Sequence, residues 1–136
     1  MGRARFGGVR LRVDTHTLIW WLGDSPALSR EAEAVIRDPA NDVWVIAVSA
    51  FEIAQKHRMG KLPFADRLAR NFDSDVSEKG FLALSISPGE ARLAGAMLNL
   101  HRDPLDRILI AHALLKDMTL VSNEKLFDSF GVARLW

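Results

Sequence analysis

Apolar runs of strand length are never joined by a hairpin turn in this chain; between each pair lies a stretch with the spacing of an amphipathic helix. That alternation restricts the fold severely. Strands separated by helices run parallel, because the crossover returns the chain to the same end of the sheet, and the helices then cover both faces. The expected order is roughly βααβααβααβαβ. Val9 to Val13, alternating apolar and basic, is the first strand and runs through Asp14 into a helix over Thr15 to Leu22. Gly23-Asp-Ser-Pro26 closes it, and Leu28, Ala32, Val35 and Ile36 mark a second helix that ends at the turn Asp38-Pro-Ala-Asn41.

Val43 to Val48 reads as a buried strand, followed by a helix from Ser49 to about Arg58 and a stop at Gly60. Phe64, Leu68, Phe72 and Val76, spaced by four, predict one further helix. Phe81 to Ile86 is the next strand, and Ser87-Pro-Gly-Glu90 is a capping box that opens a helix to about Leu98. Asp103-Pro104 starts a helix over Leu105 to Lys116 that is apolar on most of its circumference. Short strands at Thr119 to Val121 and Ala133 to Trp136, with a small helix between them, close the chain.

With 136 residues, 49% hydrophobic and 26% charged, the chain has the size and composition of one globular domain. Eighteen basic against seventeen acidic residues leave a net charge of +1, so any polyanion must be gripped locally. There is no cysteine, which excludes thiolate metal sites and cysteine nucleophiles and suits a reducing cytoplasm. No apolar run approaches the roughly 20 residues of a membrane span. Residues 1–8 are basic and glycine-rich without the apolar core of a secretory signal, and are expected to form a loose arm before the folded domain at 9–136.

Asp14, Glu52, Asp103, Asp106 and Glu124 all fall where a strand gives way to a helix. Each fits a cap when taken alone: Asp14 as an N-cap, Ser49-x-x-Glu52 as a capping box, Asp103-Pro-Leu-Asp106 as an N-cap with proline at N1 and an acid in the first turn. Taken together they share one address, the carboxyl edge of a parallel sheet, where α/β folds bind ligands. Carboxylates brought together there repel, and a hard cation such as Mg²⁺ or Mn²⁺ relieves the repulsion. Such a site suits phosphoryl chemistry. His101, Arg102 and Arg107 surround the acidic pair Asp103 and Asp106 and could contact phosphate or bridge to those acids. His57 and His112 are expected to pack or to line a cleft. Trp20, Trp21, Trp44 and Trp136, embedded in apolar runs, are read as packing or partner-surface residues.

The segments Leu-Arg-Val-Asp14-Thr-His-Thr-Leu-Ile-Trp-Trp-Leu, Val-Ser49-Ala-Phe-Glu52-Ile-Ala-Gln-Lys, His101-Arg-Asp103-Pro-Leu-Asp106-Arg-Ile-Leu-Ile-Ala-His-Ala and Leu-Val-Ser122-Asn-Glu124-Lys-Leu-Phe occur in family-like order and spacing. Over nearly its whole length the chain thereby resembles PIN-domain ribonucleases, and more narrowly the VapC-type toxins of bacterial toxin–antitoxin pairs. The resemblance implies a three-layer α/β/α sandwich, a Mg²⁺- or Mn²⁺-dependent endoribonuclease, a homodimer, and a cognate antitoxin that covers the active site. Carried over by position, Asp14, Glu52 and Asp106 match the family acids, and Asp103 a further acid of this subgroup. Glu124 stands where the family usually has aspartate, which moves its carboxylate by about one methylene. On this reading Asp14 and Asp106 ligate the metal, Glu52 ligates it or positions water, and Asp103 and Glu124 complete the shell. Ser122 and Asn123 would orient water or phosphate, and Lys56, Arg102 and Arg107 would contact the RNA backbone, single-stranded or looped.

Rival enzyme classes lack their signatures: Asp14-Thr-His16 is not the Asp-x-Asp of haloacid dehalogenases, the paired amino-terminal acids of receivers are missing, and there is no Gly-x-Gly-x-x-Gly or P-loop. A catalytically degenerate PIN domain that only binds partners is the non-enzyme alternative.

Overall fold

The computed structural model describes residues 8–98 and 103–136. The strands β1 (Arg10–Val13), β2 (Asp42–Ile46), β3 (Leu82–Leu84), β4 (Thr119–Val121) and β5 (Arg134–Leu135) form one sheet in the order β3-β2-β1-β4-β5, and every pairing is parallel. The helices are α1 (Thr15–Leu22), α2 (Arg30–Arg37), α3 (Ala47–Arg58), α4 (Asp66–Arg70), α5 (Phe72–Glu78), α6 (Pro88–Ala96) and α7 (Pro104–Lys116), with 3-10 turns at Pro63–Ala65 and Lys125–Phe130. This is the expected three-layer α/β/α arrangement.

Alternation along the central strand divides the core in two. Leu11 and Val13 of β1, with Val43 and Val45 of β2, pack against Leu18, Ile19, Ile36, Ile53 and Leu68 from the helices of one face. On the opposite face Leu120 packs with Ile46, Leu109, Ile110, Ala113, Phe127 and Val132. Each fully buried aliphatic side chain of this kind contributes roughly 1.5–3 kcal/mol relative to exposure. The chain enters β1 through a close approach at Gly8, where a Cβ would lie 1.7 Å from the Ala40 carbonyl oxygen, so only glycine fits. The arm expected before it falls on residues 1–7, outside the described residues.

Three expectations change. The run Val43 to Val48 is strand only as far as Ile46, because α3 begins at Ala47, and Val48 and Ser49 are buried in its first turn. Apolar residues continue across the junction since both elements face the core, and composition therefore hid the boundary. Ser49 is accordingly not an N-cap: Ile46 holds that position without a side-chain bond. The capping box read from Ser49-x-x-Glu52 does not form, and the Glu52 carboxylate is left for other partners. Third, the helix expected across Phe64 to Val76 is broken at Asn71, whose backbone leaves the helical region (φ −128°, ψ 46°). Arg67 of α4 bridges the break to Asp75 of α5 at 2.8 Å.

Other caps form as read. Ser87 N–H donates to Glu90 Oε1 at 2.7 Å and Glu90 N–H to Ser87 Oγ at 3.2 Å, opening α6. Among the described residues no helix is long and apolar enough to cross a membrane. Trp21 packs against Phe81 and beneath the Arg37 guanidinium, and Trp20 against Trp136.

Candidate active site

The chain runs outward from β1 through β2 to β3, then returns to lay β4 on the other side of β1. This reversal opens a crevice at the carboxyl ends of β1 and β4. Asp14 follows β1 directly. Its Oδ1 accepts from Thr17 N–H at 2.9 Å as the N-cap of α1, and its Oδ2 accepts from Ser122 Oγ at 2.5 Å. The carboxylate is thus a helix cap on one oxygen and bound across the crevice on the other. Ser122, fully buried at the end of β4, also accepts from Glu124 N–H at 3.0 Å, which sets the entry of the loop carrying Glu124. Arg134 secures that loop by donating to the Ser122 carbonyl at 2.9 Å while pairing with Asp128 at 2.8 Å.

Thr15, the first residue of α1, donates its hydroxyl to Glu52 Oε1 and shares a 3.0 Å hydrogen bond with Ser49 Oγ. Glu52 is therefore reached from α1 once the capping box is absent. Burial pushes its carboxyl above the ordinary value and Asp106 adds to that, against the Thr15 bond, Lys56 and His16, which act the other way. Asp14, Thr15, His16, Glu52, Asp106 and Glu124 line one small cleft floored by Leu109 and Phe127. Acids from β1, α3, α7 and the loop after β4 meet there.

Not every residue singled out in the sequence joins them. Asp103 is exposed and caps α7, its Oδ1 accepting from Leu105 N–H at 2.9 Å and Asp106 N–H at 3.4 Å. Arg107 donates to the carbonyl oxygens of Ala94, at 2.9 Å, and Met97, tying α7 to the end of α6. Asn123 is exposed and lines a different groove, with Lys125, Arg134 and Trp136. Ser122 is buried with its hydroxyl on Asp14, so its contact is with an acid and not with solvent-borne phosphate. Lys56 lies close enough to Glu52 to influence its carboxyl. Arg102 and His101 lie outside the described residues.

Sequence reasoning gave no site role to Thr15 or Arg12, and read Ser49 only as a helix cap. Arg12 is fully buried in β1, where burial lowers its pKa to about 10 despite Asp14 and Glu90. It lies 2.7 Å from Nδ1 of His112, itself fully buried and lowered to about 4 by burial and then by Arg12, so the imidazole is neutral and accepts. The signal was available: a basic residue in a strand that a parallel sheet buries on both faces must itself be buried.

Four of the cleft's side chains offer carboxylate oxygens, the chemistry that Mg²⁺ and Mn²⁺ prefer, and repulsion between Glu52 and Asp106 supplies a reason to bind one. As the side chains stand, no three acidic or histidine side chains among the described residues converge on one point at ligand distance. The cleft thus fits a divalent cation in donor type and charge, with Asp14 and Glu52 held by Ser122 and Thr15.

Solved structures share this architecture. A chain of the VapBC2 complex from Rickettsia felis, bound to a DNA fragment from the promoter, superposes with a TM-score of 0.69 at 14% identity, covering 94% of this chain and 99% of that one. VapBC-1 from nontypeable Haemophilus influenzae gives 0.65 at 14% identity, with 93% and 97% covered. A toxin–antitoxin complex from Klebsiella pneumoniae gives 0.53 at 18% identity, with 84% and 86% covered. No curated protein matches in sequence. The PIN domain family model matches residues 12–132, from the buried arginine of the first strand to the last turn before β5, and the chain belongs to the PIN domain family.

Proposed function

We propose that this PIN domain is a Mg²⁺- or Mn²⁺-dependent endoribonuclease that acts as the toxin of a toxin–antitoxin pair. The observation that carries the reading is the convergence of Asp14, Glu52, Asp106 and Glu124 on one cleft at the sheet's switch point. The toxin–antitoxin complexes sharing the fold support an antitoxin partner, and the family resemblance supports a homodimer.

Asp14 and Asp106 would hold the ion, with Glu52 and Glu124 at the sides of the cleft. A bound Mg²⁺ or Mn²⁺ supplies Lewis acidity toward the scissile phosphodiester. Ser122 and Thr17 hold Asp14 from two directions and so limit the rotation that would otherwise be lost on binding. Glu52, raised by burial, is the acid best suited to take a proton from an attacking water. Lys56, close enough to Glu52 to influence its carboxyl, would attract the RNA backbone. Asp103 serves the site indirectly, fixing the start of the helix that carries Asp106.

The test is cleavage of a structured RNA by purified protein with Mn²⁺, with EDTA, and after Asp14→Asn. Loss of about 100-fold or more is expected with EDTA or the substitution; equal cleavage in either case refutes the reading. Toxicity on expression, relieved by the neighbouring gene product and accompanied by site-specific RNA ends, is the expected cellular outcome. The absence of a three-ligand cluster among the described residues, as the side chains stand, favours one rival, a degenerate binding module. No thermal shift with Mn²⁺ would support that rival.

A further inference from the structure

Behind the acidic cleft lies a fully buried charge. Arg12 occupies the middle of the central strand, flanked in register by Trp44 and Leu120, and is fully buried. It sits two residues before Asp14, about 7 Å along the strand and on the same face by alternation. Its hydrogen bonding is meagre for a guanidinium. Nη1 pairs with His112 Nδ1, while Nε and Nη2 have no partner among the described residues. His112 Nε2 stops 3.9 Å short of Glu90 Oε2, which lies 3.8 Å from Lys116 Nζ.

A buried arginine with a single bond to a neutral ring is a poor way to stabilise a fold; an apolar residue between Trp44 and Leu120 would serve better. Its favourable interactions are electrostatic, with Asp14 first and Glu90 second. Glu90 already has its capping bonds and Lys116. Asp14 has neutral hydrogen-bond donors in Thr17 and Ser122, and shares its cleft with three further acids, Glu52, Asp106 and Glu124. A partly buried cation such as Lys56 still meets solvent and can swing away, but a charge inside the sheet acts through low dielectric and stays in place.

We propose that Arg12 is the internal counter-charge of the acidic cleft: it offsets repulsion among the carboxylates before a cation enters, and it weakens divalent-ion binding so that the ion stays exchangeable. The inference rests on the metal-site reading above. Because Arg12 is fully buried and bonded to His112, it opposes the ion without occupying a ligand position.

Calorimetric titration of the full chain with Mn²⁺ alone tests this. The double variant Arg12→Met/His112→Leu removes the charge and its acceptor together, and should bind Mn²⁺ about tenfold more tightly than the parent. Arg12→Lys, which keeps the charge, should stay within about twofold. Should the double variant fail to fold, judged by urea unfolding, Arg12→Gln removes the charge while leaving an amide for His112, and should again tighten binding. Unchanged or weaker binding in the folded neutral variants overturns the counter-charge. A parent that gives no Mn²⁺ heat overturns the metal-site reading itself, and the two failures are thereby distinct.

Discussion

The two faces of β1 are both buried, yet they are built differently. Leu11 and Val13 point into a wholly apolar cluster with α1, α2 and α3, whereas Arg12 points toward α6 and α7 into the polar row of His112, Glu90 and Lys116. One face follows from the hydrophobic effect and needs no further reason. The other retains buried polar atoms without hydrogen-bond partners among the described residues, which costs stability and is found where a fold carries a function. The difference teaches that the apolar side of the strand carries stability, while the polar side is where the proposed counter-charge lies.

Substitutions on the two faces should therefore behave differently. Leu11→Ala, which opens a cavity in the apolar cluster, should cost about 3 kcal/mol in urea unfolding and leave Mn²⁺ affinity unchanged. A loss below about 1 kcal/mol would break the comparison.

A second expectation concerns acid. His112 is held near 4 in the fold against about 6.5 in the unfolded chain, so the unfolded state binds more protons between those values. Stability should then rise with pH from about 4 to about 6.5, by about 3 kcal/mol, and be insensitive to this group above that window. Glu52, raised by burial, acts in the opposite sense as pH climbs through its own range. The difference between parent and His112→Leu isolates the histidine, and parallel pH profiles for the two would contradict its neutral burial.

Smaller effects belong to the cleft's supports. Ser122→Ala removes the bond to Asp14 and should lower Mn²⁺ affinity or RNA cleavage by about tenfold. Glu124→Gln, at the exposed rim, should change either by no more than about threefold. A larger effect for Glu124 than for Ser122 would move the centre of the site outward to the loop.

Much of the fold was legible. Strand and helix alternation without hairpin signals predicts a parallel sheet, and the sheet is parallel throughout. Ser87 and Glu90 form the capping box that their spacing announces, and Asp14 and Asp103 cap α1 and α7. What misled was local ambiguity: Ser49-x-x-Glu52 has the same spacing as a true box, but the helix starts two residues earlier, inside the apolar run. Spacing reports which residues could bond, while the position of the helix start decides which do. Likewise the four-residue rhythm through Val76 is interrupted at Asn71, since two short helices can bury the same stripe.

Sequence by itself determined the alternation of strands and helices and the caps of α1, α6 and α7, because these depend on periodicity and on bonds between residues a few positions apart. Only the tertiary structure decided that Ser122 reaches Asp14 and Thr15 reaches Glu52, that Arg107 turns to α6, and that Arg12 meets His112 one hundred residues away. Those contacts join strands and helices distant in sequence, and they exist only once the sheet has folded and its switch point has set those elements side by side.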